Sequence, residues 1–291
     1  MIYDCIIIGN GPAGISAALY TIRSNMKTLV IGTGDSTLKK ASEIENYYGF
    51  SEPISGEKLI NEGEKQLKRL GGTILDEEVI GIDKENVFHV KTAKNEYQAI
   101  TVLIATGQKR VNIRIQNLKK YEGKGISYCS TCDGFFYRGK KVGVLGYKDF
   151  ALSEANELLH FTDDVTIFTN GQKTEFTQAD LVGKFQINEK HISSFEGEDI
   201  IEKIVFEDSS ETHLDGVFIA YGSASSINFA LKMGIVTQDQ SIVVDGNQET
   251  NIPGLYAAGD CTGIFKQISV AVGQGAIAGK NMIDYVRANR K

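Results

Sequence analysis

Two stretches of this sequence follow one plan, and a chain that repeats itself in this way has few folds open to it. "YDCIIIGNGPAGISAALY", from residue 3, and "KVGVLGYKDFALSEANELL", from residue 141, each pass from a short β-branched run through a Gly-containing turn into helical spacing. Each is followed by a second apolar strand, "KTLVIG" or "DVTIFTN", as a βαβ unit requires. Each then meets alternating apolar and polar residues, "NVFHVKTAKNEYQAI" or "IIEKIVFEDSSETHL", the pattern of antiparallel strands joined by a polar turn. Each ends in a matching strand, "VLIATG" at 102–107 or "VFIAYG" at 217–222. The repeat predicts an α/β protein of two Rossmann-like, three-layer ββα domains. A last strand-then-helix, "GLYAAGD" with the run from Ile268 to Val286, has no counterpart in the middle and is expected to complete the first domain. The second domain is then an insertion, with residues 1–109 plus 214–291 forming the first domain and 110–213 the second.

At 291 residues, 42% of them apolar, the chain is long enough for two such cores. No stretch approaches the roughly 20 apolar residues of a membrane helix. The opening "MIYDCIIIGNG" lacks the basic segment and cleavage site of a signal peptide, so no membrane partner and a cytoplasmic location are expected. The net charge of −6 argues against nucleic acid as a partner. From Gly107 to Lys141, however, nine basic residues (Lys109, Arg110, Arg114, Lys119, Lys120, Lys124, Arg138, Lys140, Lys141) face two acidic ones (Glu122, Asp133).

Gly9-Asn10-Gly11-Pro12-Ala13-Gly14 follows a strand and opens a helix, the context in which a G-x-G-x-x-G turn cradles a dinucleotide pyrophosphate. Gly9 permits the tight turn, Gly11 lets phosphate approach the backbone, and Gly14 allows close helix–strand packing. The helix N-terminus adds free N–H groups and partial positive charge. Asp35, 21 residues beyond Gly14, is placed to bind ribose hydroxyls. "ATG" at 105–107 and "AAGD" at 257–260 are strand ends expected to converge on the same crevice.

Cys129-Ser130-Thr131-Cys132-Asp133 carries the second chemistry. Two thiols at this spacing can close a disulfide, and exchange needs a thiolate nucleophile and a proton donor for the leaving thiolate, a role open to Asp133. Half of a zinc site would show the same spacing. A zinc site needs about four ligands, yet no second C-x-x-C exists and His89, His160, His191 and His213 are scattered, so no metal is expected. Cys5 reads as a small buried residue, and Cys261 either lies near a cofactor or is a bystander.

These pieces, "GNGPAG" at 9–14, "EIENYYGF" at 43–50, "ATG" at 105–107, "CSTCDG" at 129–134 and "GLYAAGDCTGIFKQISVAVGQG" at 254–275, resemble the low-molecular-weight flavin thioredoxin reductases along nearly the whole chain. The resemblance implies FAD in the first domain, with Asn46 near the isoalloxazine and Asp260, Lys266 and Gln267 near the ribityl chain and ring. The implied cofactor set is Gly9, Gly11, Pro12, Ala13, Gly14, Asp35, Asn46, Ala105, Gly107, Gly259, Asp260, Lys266, Gln267 and Ile268. It also implies that Cys132 faces the flavin, that Cys129 attacks thioredoxin, that a domain rotation presents the dithiol, and that the enzyme is a homodimer.

The chain departs from the family's NADPH-using members in its second turn. In Gly146-Tyr147-Lys148-Asp149-Phe150-Ala151, Lys148 stands where a glycine would admit pyrophosphate. The next strand ends in Thr169-Asn170-Gly171, with neither arginines for NADPH nor a carboxylate for NADH. Lys148 or Lys173 binding phosphate in another geometry is an alternative. Asp35-Ser36-Thr37 also replaces the usual Gly-Gly. In lacking the nicotinamide site the chain resembles the ferredoxin-dependent flavin thioredoxin reductases, and the basic stretch at 107–141 suits an acidic donor or, equally, a solvated or thioredoxin-facing surface. The rival readings are an NADPH-dependent enzyme with an atypical site and a non-catalytic flavin-binding redox sensor; Asp133 favours turnover.

Overall fold

A computed structural model describes the chain except residues 35, 109–112, 264 and 291. It divides into two compact units, Met1–Lys109 with Ser225–Lys291, and Arg110–Ala224.

In the first unit the opening strand Ile2–Ile8 pairs in parallel with Thr28–Ile31 on one side and Glu96–Ile104 on the other. Its run of isoleucines is buried because a parallel strand covered on both faces has no solvent side. The long strand Glu96–Ile104 is shared. Its first half pairs antiparallel with Phe88–Thr92, and its second half pairs in parallel with Leu255–Ala257. That last pairing brings the C-terminal segment into the first sheet.

The helix that follows, Ile268–Asn289, lies directly on the opening helix Pro12–Arg23. Gly275 and Gly279 permit this: a Cβ on either would lie 2.1 and 2.7 Å from the carbonyl oxygens of Ala13 and Ala17. Two distant parts of the sequence are thereby packed beside the Gly9–Gly14 turn.

The second unit holds a five-stranded parallel sheet in the order Gln186–Asn188, Val165–Phe168, Val142–Leu145, Gly216–Ile219, Ile126–Ser127. A separate antiparallel sheet of Ile192–Glu196, Lys203–Phe206 and Glu211–His213 accompanies it. The strand Gly216–Ile219 corrects one expectation. The sequence places the return to the first domain at residue 214, but this strand is hydrogen-bonded on both edges within the second sheet, and the return falls at Ser225. A strand buried between two partners cannot be released without leaving both ladders unpaired. Among the described residues no helix is long and apolar enough to cross a membrane.

Candidate functional site

The Gly9–Gly14 turn has the geometry of a phosphate cradle. Gly9 has φ +112°, and a Cβ there would lie 2.3 Å from the Ala105 carbonyl oxygen; on Gly14 it would lie 1.9 Å from the Gly9 oxygen. Gly11 differs. Nothing lies within 4 Å of where its Cβ would be, and it fronts a cleft of about 690 Å³ that also takes in Asn10, Pro12, Tyr47, Phe50 and Ile268. Gly11 is the N-cap of the opening helix and offers no side-chain cap, so the first-turn N–H groups remain for an external acceptor.

The rest of the expected cofactor set gathers from three segments. Ala105 lies at the end of the strand Glu96–Ile104, and the neighbouring Thr106 hydroxyl is buried with no hydrogen-bond partner among the described residues. A buried unsatisfied hydroxyl costs free energy, and beside an open cradle it fits a polar ligand. Gly107 and Gly259 have φ +67° and +84°, and the Gly259 N–H donates to Gln274 Oε1 at 2.8 Å, which fixes the turn leading to Asp260. Asn46 Nδ2 donates to Gln267 Oε1 at 2.9 Å across 221 residues of sequence, and Lys266 Nζ donates to Gln108 Oε1. Gln108 and Gln274 had no signal in the sequence beyond lying near "ATG" and on the last helix. Asp35 lies outside the described residues. Cys261 is buried, with Sγ directed at the carbonyls of Ala258 and Ile104, and burial pushes its thiol up to about 12.

In the second unit Cys129 and Cys132 form a disulfide with Cα atoms 5.3 Å apart. Cys129 is buried and Cys132 exposed. The Cys132 N–H donates to Cys129 Sγ at 3.2 Å, an arrangement that stabilises negative charge on that sulfur once the bond opens. The Ser127 hydroxyl donates to Asp133 Oδ2 at 2.7 Å and accepts from the Cys129 N–H at 3.1 Å, so one buried serine fixes both the acid and the first cysteine.

The strand order of the parallel sheet reverses between Val142–Leu145 and Gly216–Ile219, and the crevice beyond their carboxyl ends is where such a sheet takes a ligand. Here it is filled from within the unit. Tyr147 and Tyr221 meet edge to face with centroids 5.0 Å apart, and Tyr221 is further hydrogen-bonded by Asn170 and Gln172. The segment Glu175–Thr177 is strapped over the turn. The Glu175 N–H donates to the Tyr147 carbonyl at 2.8 Å, its carboxylate pairs with Lys148 Nζ at 2.9 Å, and Thr177 donates twice to the Asp149 carboxylate. Asn170 Oδ1 is engaged by the Ile192 N–H at 2.7 Å, and the His191 ring packs on Gly171.

A family model for pyridine nucleotide-disulphide oxidoreductases matches residues 3–275, and the chain belongs to that family. Within it, the chain is a flavoprotein disulfide reductase of the thioredoxin reductase type, a group of FAD-binding enzymes. It is 33% identical to the thioredoxin reductase of Treponema pallidum (strain Nichols) over 303 aligned positions, covering 98% of this chain and 97% of the relative. The crystal structure of the atypical thioredoxin reductase TRi from Desulfovibrio vulgaris Hildenborough aligns with TM-score 0.94 at 41% identity over 99% of both chains. A ferredoxin-flavin thioredoxin reductase from Clostridium acetobutylicum aligns with TM-score 0.74 at 32% identity, again over 99% of both.

Proposed function

We propose that this enzyme passes electrons from reduced ferredoxin, through FAD and the Cys129/Cys132 pair, to thioredoxin. The observation that carries the choice of donor is the filled crevice of the second unit. A nicotinamide dinucleotide needs its pyrophosphate against backbone N–H groups at the Gly146–Lys148 turn. Tyr147, Tyr221 and the Lys148–Glu175 pair flank that turn, which sets an aromatic pair and a carboxylate beside it rather than an open, positively charged seat. Of the two lysines that offered an alternative phosphate contact, Lys148 and Lys173, the first is engaged by that carboxylate.

The first unit's residues fit FAD: Gly11, Pro12, Ala13 and Gly14 would hold its pyrophosphate, and Thr106, Asn46, Asp260 and Lys266 to Ile268 the rest. Bound there, a flavin supplies the ability to take single electrons in turn and hand on a pair. Cys129, whose sulfur accepts the Cys132 N–H, is the nucleophile toward thioredoxin, which leaves Cys132 to exchange electrons with the cofactor. Asp133, oriented by Ser127, gives its proton to the leaving thiolate. The name of the ferredoxin-flavin relative supports the donor, and so do Arg114, Lys119, Lys120, Lys124, Arg138, Lys140 and Lys141, all exposed in the second unit. Lys109 and Arg110, counted in the same stretch, lie outside the described residues. A homodimer working in the cytoplasm completes the reading.

Anaerobic stopped-flow measurement of flavin bleaching separates the donors. Reduced ferredoxin bleaches the flavin, and NADPH and NADH at about millimolar levels do not, because neither gains a pyrophosphate seat. Ferredoxin turnover falls as salt rises, since screening weakens steering between exposed charges. Lys140→Glu with Lys141→Glu lowers it further and leaves dithionite reduction unchanged. Rapid reduction by NADPH at a rate that supports thioredoxin turnover would overturn the ferredoxin reading.

A further inference from the structure

The turn that carries the disulfide is anchored from behind by a carboxyl group with no part in the chemistry so far. Glu154, on the helix Asp149–Leu158, is 2% exposed. Its Oε2 accepts the Ser130 backbone N–H at 3.2 Å and the Ser130 hydroxyl at 2.7 Å, and Ser130 is itself fully buried. Ser130 stands between the two cysteines as the first residue of the short helix Ser130–Asp133.

Withdrawing an acid from water is costly, and an apolar residue of similar size often serves a core as well or better. What the carboxyl adds here is a fixed point. Two donors of one residue converge on one oxygen, which sets both the position and the rotation of residue 130 relative to the helix behind it. On the other side of the turn Ser127 holds Cys129 and Asp133. The segment between the sulfurs is thus pinned from both ends of its backbone.

We propose that Glu154 is a positioning residue of the redox site, which by clamping Ser130 keeps Cys129 and Cys132 at closing distance and so sets the reduction potential of the pair. The proposal rests on the reading of this pair as redox-active. Reduction breaks the S–S bond, takes up two electrons and two protons, and leaves two thiols. Thiols held near each other re-form the bond readily, because their effective concentration is high. Loosening the clamp lets the sulfurs separate, favours the dithiol, and makes the potential less negative.

The test equilibrates holoenzyme with dithiothreitol redox buffers, in which the reagent's dithiol is oxidised to its cyclic disulfide as Cys129–Cys132 is reduced. Alkylation and mass measurement then read the reduced fraction. Glu154→Met removes the acceptor at similar volume, and Ser130→Ala removes the hydroxyl and keeps the N–H. Each of these is expected to favour the dithiol about tenfold, equivalent to ~30 mV for a two-electron couple, whereas Glu154→Gln, which keeps an oxygen acceptor of the same shape, should stay near the wild-type potential. The double variant should shift no further than the larger single one, because both act through one contact. Variants that melt earlier while their potentials match the wild type would assign Glu154 to stability alone and overturn the proposal. A wild-type pair that never reduces across the buffer series would instead defeat the redox reading, and the proposal with it.

Discussion

Gly11→Val separates cofactor binding from folding, which the other two glycines of the cradle cannot do. The Gly11 backbone, at φ −79° and ψ −173°, is extended and open to a β-branched residue, and no atom stands within 4 Å of the added Cβ. The apoprotein should therefore keep its fold, with stability lowered by about 1 kcal/mol, the cost of a β-branched residue in place of glycine at an N-cap. By contrast, substitution at Gly9 or Gly14 drives a Cβ to 2.3 or 1.9 Å from a carbonyl oxygen and deforms the turn itself. The valine methyls occupy the approach by which a pyrophosphate reaches the helix N–H groups. Losing two charge-assisted hydrogen bonds at about 1.5–3 kcal/mol each removes about 3–6 kcal/mol of binding, roughly two to four orders of magnitude in affinity. The flavin-to-protein absorbance ratio after purification, FAD titration of the apoprotein, and its far-UV thermal melt measure the three quantities. Gly11→Val protein that retains full flavin would refute the cradle assignment. A variant that loses flavin because it no longer folds would refute the open space assigned to Gly11.

The two cysteine variants should differ: both Cys129→Ser and Cys132→Ser abolish thioredoxin reduction with flavin retained, but only Cys132→Ser, which keeps Cys129, traps a mixed disulfide with thioredoxin. Trapping by Cys129→Ser, seen on a non-reducing gel, would reverse the roles. In the reduced native protein, a thiol reagent at neutral pH should modify the exposed Cys132 first and Cys129 more slowly, and should reach Cys5 and Cys261 only after unfolding, because those two are buried and burial raises both thiols above their ordinary values. The Cys261 contribution to stability is fully present below about pH 9 and is lost between there and about 12, since the unfolded chain releases a thiol proton that the folded chain holds. A melting temperature that rises over that interval relative to Cys261→Ala would contradict this.

Much of the molecule was legible in the sequence because its signals are local. A β-branched run, a glycine turn and helical spacing all lie between Tyr3 and Tyr20, so neighbouring residues alone mark the Gly9–Gly14 turn. The C-x-x-C needs only four residues, and the strand pairs Phe88–Thr92 with Glu96–Ile104 and Lys203–Phe206 with Glu211–His213 announced themselves by alternation. The boundary at residue 214 fails because it cuts the second copy of the repeat before its closing strand, "VFIAYG". The pairing of Gly216–Ile219 with Val142–Leu145 and Ile126–Ser127 agrees with the repeat and moves the return to Ser225.

The sequence by itself determined the class of fold, the glycine turn at 9–14, the C-x-x-C with its neighbouring acid, and the departure of the second turn from the first. Tertiary structure alone decided which distant side chains meet. Tyr147 meets Tyr221, Glu175 crosses to Lys148, Glu154 reaches Ser130, and Asn46 finds Gln267, over separations of 24 to 221 residues. No spacing rule encodes such pairs. Each exists because helices and strands, packed to bury their apolar faces, deliver particular side chains to the same few ångströms, and a buried polar group must then bond to whatever partner the packing supplies.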